Sequence, residues 1–198
     1  MNVTGVLTEK NMRRLLLPAV RIGAWIMMTE NIFTCRYRSP LGSIILAGDG
    51  ESLTGLWFAG QKYAPEISGT AVSGLPVFVQ TVRWLDTYFS GKAPDFTPPI
   101  SLQTTLFRRT VCEIMLTIPY GQTVTYGGIA KMLAEQRGMQ MSAQAVGGAV
   151  GYNPICIIVP CHRVVGANGN LTGYGGGIMR KQALLTLEGV DMSVFYIP

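Results

Sequence analysis

Apolar residues gather in three short runs, 32–39, 43–48 and 53–59, rich in β-branched, aromatic and aliphatic side chains, and these read as strands. Pro40-Leu41-Gly42 and Asp49-Gly50-Glu51 separate them with residues that turn a chain, so the pattern predicts an antiparallel meander of three strands. The pattern then changes. Pro76 opens a stretch in which Val79, Val82, Leu85 and Phe89 recur at roughly helical spacing, and Gly91 closes it. From Lys92 to Ile100 the prolines Pro94, Pro98 and Pro99 oppose regular structure, and this segment reads as a linker.

Beyond it the pattern becomes one of short helices. Phe107, Val111, Ile114 and Met115 mark an apolar stripe that ends at Ile118-Pro119-Tyr120-Gly121. Thr125 stands as N-cap to a helix carrying Ile129, Met132 and Leu133, and Ser142 as N-cap to one containing Ala143, Val146, Ala149 and Val150. Two short helices about a turn at Gly138 outline a helix-turn-helix. The second contains Gly147-Gly148, and each interior glycine costs about 1 kcal/mol relative to alanine. Something is therefore expected to approach that backbone closely, either a neighbouring helix or a nucleic-acid strand. Gly151-Tyr152-Asn153-Pro154 then forms a turn, and Ile157-Ile158-Val159 predicts a buried strand that delivers Pro160-Cys161-His162-Arg163 at its end. A turn over 166–170, the glycine-rich loop Gly173-Tyr174-Gly175-Gly176-Gly177, and a helix through Glu188 stopped by Gly189 complete the chain.

Cys161 and His162, the only histidine, suggest a reaction centre. A thiol reacts as its thiolate, and at its unperturbed pKa of about 8.5 it needs a base or a positive field beside it, which His162 and Arg163 are expected to supply. Neighbours on a strand point to opposite faces, so the two side chains cooperate only if the chain turns after Pro160 or a water bridges them. The histidine needs a carboxylate to hold its ring. Glu188 lies in the last turn of its helix, where the macrodipole disfavours an anion by some tenths of a kcal/mol, as expected of a carboxylate serving another partner. The plainer alternative is a structural cysteine with a capping histidine.

Charge changes the picture only a little. The net +5 divides as +3 over residues 1–27, −1 over 28–99 and +3 over 100–198, so the excess of the folded part lies with the cysteine motif and suits a polyanion. Cys35, Cys112, Cys156 and Cys161 are irregularly spaced, which argues for a reducing, cytoplasmic setting and against a structural zinc site. Lys10, Arg13 and Arg14 ahead of an apolar run imitate a signal peptide. Arg21 interrupts that run, so residues 1–27 are expected to be a disordered extension or to precede the true start, and no segment spans a membrane.

Pro160-Cys161-His162-Arg163, preceded by aliphatic residues and followed by Val164-Val165, resembles the active-site signature of the O6-alkylguanine-DNA alkyltransferases, with the likeness running from about Ser39 to Gly189. The resemblance implies an α+β fold. Its parts would be a small antiparallel sheet with a helix, ribonuclease H-like, over residues 28–92, a linker over 93–101, and a helix-turn-helix, winged-helix-like domain over 102–191. It implies direct reversal of O6-alkylguanine in DNA, with O4-alkylthymine as a second candidate substrate. The partner is double-stranded DNA bound through its minor groove by a monomer that uses no cofactor and no metal. Carried over, Cys161 accepts the alkyl group, His162 is the base through a water, Glu188 orients His162, and Asn153 braces the turn. Tyr126 donates to the guanine ring, backbone groups at Cys161 and Val164 read the base edge, and the Tyr174-Gly175 loop walls the pocket and donates to O6. Ala143, Gln144, Gly147 and Arg163 are the other DNA-facing candidates.

Two departures stand out. Gln144 occupies the position where the family usually has an arginine that fills the gap left by the flipped base, and Gly175 replaces a side chain found in some relatives, which is expected to admit bulkier alkyl groups. Three rival readings remain in view. A sensor of alkylated DNA without repair activity lacks the reactive cysteine, whereas Cys161 is present. A transcription regulator would need a richer recognition helix. A cysteine hydrolase would need an oxyanion hole and would leave the DNA-facing half unexplained.

Overall fold

Gly42 and Gly50, both at positive φ, turn the chain twice, and the predicted strands on either side pair as expected. Strands β1 (Phe33–Ser39), β2 (Gly42–Gly48) and β3 (Leu53–Phe58) form the antiparallel meander, with Tyr37 opposite Ile44 and Leu46 opposite Leu56. A two-residue strand, β4 (Thr70–Ala71), joins β1 in parallel and gives the order β3-β2-β1-β4. The computed structural model describes residues 32–66, 68–138 and 140–197, so the expectation for residues 1–27 lies outside the described residues.

Helix α1 (Pro76–Phe89) packs on this sheet. Its buried stripe is Val77, Phe78, Thr81, Trp84, Leu85 and Tyr88, whereas Val79 is 57 % exposed. The spacing was therefore helical as predicted, but the face is rotated: Phe78, Trp84 and Tyr88 bury more area than the valines and set the orientation. The proline segment has no regular structure yet is fastened to the edge of β3, where Leu53 N donates to Pro99 O and Ser101 N to Leu53 O, each at 2.8 Å.

Helix α2 (Leu106–Leu116) buries Val111, Cys112, Ile114 and Met115. Helix α3 (Tyr126–Arg137) is capped by Thr125, which accepts from Gly128 N at 2.9 Å, and Gly138 ends it in the left-handed conformation. It buries Ile129 and Leu133, while Met132 lies on the open side. Helix α4 (Ala143–Gly151) is capped by Ser142 through Ala145 N and buries Val146, Ala149 and Val150. Together α3 and α4 make the helix-turn-helix. Short parallel strands β5 (Val124–Thr125) and β6 (Val164–Val165) and helix α5 (Ile178–Leu187) close this half. One hydrophobic core runs from Ile44 and Phe58 of the sheet to Leu133, Val146 and Leu184 of the helices.

The strand predicted over Ile157-Ile158-Val159 is absent. Those residues are buried, but Ile157 has a φ of 69° and the segment makes only single bridges, Leu56 with Ile155 and Cys156 with Val159. Local side-chain bonds replace the ladder: Asn153 Nδ2 donates to Val159 O at 2.7 Å and its Oδ1 accepts from Ile155 N at 3.0 Å. A β-branched run is thus held as a coiled, buried loop whose polar groups are still paired.

Candidate active site

The chain turns directly after Pro160. Cys161–Arg163 is a single 3₁₀ turn, closed by Val164 N donating to Cys161 O, and it carries Cys161, His162 and Arg163 into the core. Asn153 positions this turn from below by clamping Val159.

Glu188 is the hub. As C-cap of α5 it projects a carboxylate with no exposed side-chain surface. It accepts from His162 Nε2 at 2.6 Å, from Tyr88 Oη at 2.7 Å, from Arg163 Nε at 2.8 Å and Nη2 at 3.0 Å, and from Gly121 N at 3.0 Å. Burial pushes this carboxyl up, but the bonds from His162 and Arg163, the Arg163 charge and the charge that His162 carries once protonated at low pH outweigh it and hold the group at about 2. An ionised carboxylate only accepts, so Nε2 carries the imidazole proton and Nδ1 is left as the acceptor. Nδ1 is buried with no partner among the described residues. Burial, aided by the positive charges of Arg163 and Lys181, lowers the His162 pKa although Glu188 opposes this, so the ring is a neutral base near pH 7.

Cys161 has its pKa lowered, foremost by contact with the Cys156 thiol, against burial, with help from the Asn153 side chain and the Lys181 charge. Lys181 is fully buried, its Nζ donating to Val164 O at 2.6 Å and Thr172 O at 3.1 Å, and burial lowers it to about 8. The positive field expected of Arg163 therefore comes from Lys181. Arg163, expected among the DNA-facing groups, is instead buried; its remaining nitrogen, Nη1, donates to Ile118 O at 2.7 Å.

Beside this centre lies a cavity of about 440 Å³ lined by Lys62, Tyr63, Gly147, Thr172, Tyr174 and Gly175, among others. Cys161 is only 4 % exposed and does not line it. The glycine-rich loop forms part of the cavity wall, and Tyr126 Oη, donating to Thr172 O at 3.3 Å and Gly173 O at 3.0 Å, fastens it. A Cβ at Gly173 would fall 2.7 Å from that oxygen, so only glycine fits. Tyr174 Oη is buried without a partner among the described residues, and burial pushes its pKa well up, so it remains a protonated donor. Gly175 O accepts from Lys62 N at 3.1 Å, and a Cβ there would meet Gln61 and Lys62 no closer than 3.4 Å, an ordinary contact. Val164 keeps a backbone position facing Lys181 and is itself buried. Ala143 and Gln144 lie on the exposed face of α4 with Gly148, which has no protein atom within 4 Å of its would-be Cβ. A Cβ on Gly147 would meet the Tyr126 ring of α3 only at 3.9 Å, an ordinary contact, so among the described residues no neighbouring helix requires the Gly147-Gly148 pair.

Tyr88, Lys181 and Gln61 were not anticipated. Tyr88 is 100 residues from Glu188 and Gln61 is 95 from Cys156, separations that no local pattern bridges. Lys181 carried one weak signal, a cation eight residues after Gly173 on the inner face of a short helix.

Comparison with known proteins agrees with this architecture. Two family models match: 6-O-methylguanine DNA methyltransferase, ribonuclease-like domain, over residues 33–102, and 6-O-methylguanine DNA methyltransferase, DNA binding domain, over residues 106–190. The methylated-DNA–protein-cysteine methyltransferase of Mycobacterium tuberculosis strain H37Rv is 50 % identical over 151 residues, 76 % of this chain and 88 % of that protein. The protein of the same name from Mycobacterium leprae is 48 % identical over 153 residues, again 76 % of this chain and 88 % of the relative. The crystal structure of Mycobacterium tuberculosis O6-methylguanine methyltransferase superposes with a TM-score of 0.70 at 45 % identity, covering 83 % of this chain and 95 % of that one. Mycobacterium tuberculosis OGT in complex with DNA gives 0.71 at 45 % identity, covering 82 % and 94 %. With both halves matched in order and close relatives covered over most of their length, the chain belongs to the family of methylated-DNA–protein-cysteine methyltransferases.

Proposed function

We infer that this protein repairs DNA by direct reversal, moving the alkyl group of O6-alkylguanine onto Cys161. The observation that carries this is the buried chain Glu188–His162 beside a thiol of lowered pKa, in which the imidazole is neutral and its free nitrogen is an acceptor. His162 Nδ1 takes the thiol proton through a bridging water, and Glu188 stabilises the imidazolium that forms. The thiolate then attacks the alkyl carbon. A carbon–sulfur bond forms, the bond from carbon to O6 breaks, and its electron pair passes into the guanine ring. The unpartnered O–H of Tyr174 is a donor available where that negative charge develops. No side chain here hydrolyses a thioether, so each molecule acts once.

An alkylated O6 inside the stack is out of reach, so the nucleotide must be everted. The small, exposed face of α4, with Ala143, Gln144, Gly147 and Gly148, suits a minor groove, and its lack of base-reading groups suits a lesion found in any sequence. Cys161 is only 4 % exposed, so entry of the base requires its surroundings to open, and Tyr126 then exchanges its loop carbonyls for the guanine ring. We place the reaction in the reducing cytoplasm, with one protein per lesion; four free thiols fit that setting, and no helix among the described residues is long and apolar enough to cross a membrane.

Intact-mass measurement after incubation with duplex DNA containing O6-methylguanine tests the reading. The protein should gain the mass of one methylene, mapped to Cys161; an unchanged mass refutes it. A second expectation concerns Gln144, whose neutral amide lacks the charge and reach of arginine. Gln144→Arg should speed repair of duplex DNA several-fold and leave reaction with free O6-benzylguanine unchanged. Equal effects on both substrates would remove Gln144 from the base-flipping step.

A further inference from the structure

We propose that Tyr88, from the first half of the chain, is a positioning residue for the reaction: its hydroxyl binds the Glu188 oxygen that carries His162 and limits how strongly that carboxylate draws a proton onto the ring. This rests on the reading of His162 as the base and adds to it a residue from a helix to which the sequence pattern gave no part in the chemistry.

Packing fixes where the phenol ends. Tyr88 stands in the last turn of α1 and is fully buried. One turn earlier Trp84 stacks on its ring, with centroids 5.3 Å apart and planes 9° from parallel, while Phe89 and Tyr120 meet it edge-on at 5.4 and 6.0 Å. The end of the helix is itself pinned to the sheet, since Tyr37 Oη of β1 donates to Asp86 Oδ1 at 2.8 Å. A ring enclosed on these sides carries its hydroxyl to one point. That point lies 2.7 Å from Glu188 Oε1 and 3.3 Å from His162 Nε2.

Tyr88 Oη, Glu188 Oε1 and His162 Nε2 thus form a triangle whose third side, from Nε2 to Oε1, is 2.6 Å. Burial, with the Glu188 charge adding to it, raises the Tyr88 pKa well above its usual value, so the phenol keeps its proton. The shorter of its two contacts takes that proton, which goes to the carboxylate. The lone pairs of the phenol are then left to face Nε2–H, so hydroxyl and carboxylate both favour the tautomer that leaves Nδ1 open. For the basicity of the ring the two contacts oppose each other. A donor on Oε1 draws charge from the carboxylate and weakens its hold on an imidazolium, whereas the oxygen facing Nε2 strengthens that hold. A bond of 2.7 Å to an anion outweighs a neutral contact at 3.3 Å, so the net effect of Tyr88 is to keep His162 the weaker base. The other titratable and charged groups around the ring are Glu188 and Lys181 of α5 and its cap, Arg163 and Cys161 of its own turn, and Tyr120 ahead of β5. Arg163 grips both carboxylate oxygens and Gly121 N one of them, so Glu188 stays in its socket without Tyr88, and the loss falls on the oxygen that faces the ring.

The test reads the ring directly, because His162 is the only histidine and its imidazole resonances stand alone in the NMR spectrum of protein labelled at histidine. In Tyr88→Phe the Nε2 proton should move downfield at pH 7, and the His162 midpoint should rise by roughly half to one pH unit. The pH profile of reaction with free O6-benzylguanine should follow, with a loss of roughly three- to tenfold on its acid limb and less at its plateau, whereas a merely loosened fold loses rate equally at every pH. A meta-fluorotyrosine in place of Tyr88 keeps the packing of the ring and donates more strongly. It should move both readouts the opposite way, which provides a reading even if Tyr88→Phe fails to fold. Tyr120→Phe removes a hydroxyl from the same cluster, one that donates to Leu187 O at 3.2 Å and not to Glu188, and should leave the midpoint in place. A Nε2 proton and midpoint that match the native ones in the Tyr88 variants that fold, an acid limb that ignores a shifted midpoint, or an equal shift in Tyr120→Phe would overturn the proposal. Because the resonance needs no substrate, a shifted ring without methyl gain from O6-methylguanine DNA would instead count against the repair reading alone.

Discussion

Glu188→Gln is expected to destabilise the protein by about 3–5 kcal/mol and to slow alkyl transfer by roughly 10²–10⁴-fold in the molecules that fold. Both effects come from one carboxylate. In stability, the substitution leaves the Arg163 guanidinium buried without its counter-charge, and it presents an amide N–H₂ to groups that are all donors. An independent route gives a similar size. The carboxyl is held at about 2 in the folded protein against a usual 4.3 or so, and each unit is worth 1.36 kcal/mol, or about 3 kcal/mol in all. The sign follows from the lowered value: this stabilisation is fully present above about pH 4.3 and is lost as pH falls towards 2. Thermal melts should therefore separate native and variant proteins by roughly 10 °C at pH 7, and the gap should narrow steadily below pH 4. In rate, a glutamine that offers its N–H₂ to Nε2 selects the other tautomer and places the proton on the nitrogen meant to receive one. Melting curves that coincide at pH 7 would show that Glu188 is not the hub of the cluster.

The pairing of His162 with Glu188 could be read in advance because the glutamate stands at the wrong end of its own helix, a small local misfit with a distant cause. The meander was equally legible, since Gly42 and Gly50 sit where positive φ is needed. Other features depend on contacts that no local pattern encodes. An arginine beside a histidine reads the same whether it meets phosphate or a buried carboxylate, and Arg163 does the latter. Lysine is among the residues least often fully buried, so Lys181 on a short helix gave little reason to expect the positive field at Cys161. The run Ile157-Ile158-Val159 has strand composition, but Asn153 four residues earlier satisfies its backbone and makes a coil as stable as a ladder. In α1 the period was visible and the direction was not, because Val79 and Phe78 fit the same spacing and the larger ring took the core.

Cys161→Ser is expected to abolish alkyl transfer while leaving DNA binding near the native level. The surroundings of Cys161 favour its anion through Cys156, Asn153 and Lys181, and for a thiol a modest push is enough, because its ordinary pKa is already near 8.5. A serine hydroxyl starts far higher, and the same contacts leave it protonated, a poor nucleophile towards an alkyl carbon on a neutral base. The substitution keeps a small side chain in a site where Asn153 and Cys156 offer partners, so the fold should be little changed. The exposed face of α4 is untouched. Gel-shift titration against duplex DNA should thus give closely similar curves for the two proteins, while intact mass after incubation with O6-methylguanine DNA should rise for the native chain and stay fixed for the variant. Peptide mapping adds the stricter condition, since Cys156 is a second buried thiol five residues from the nucleophile. A methyl group found on Cys156, or a variant that still removes the lesion, would place the acceptor elsewhere and leave the Glu188–His162 chain without a thiol to activate.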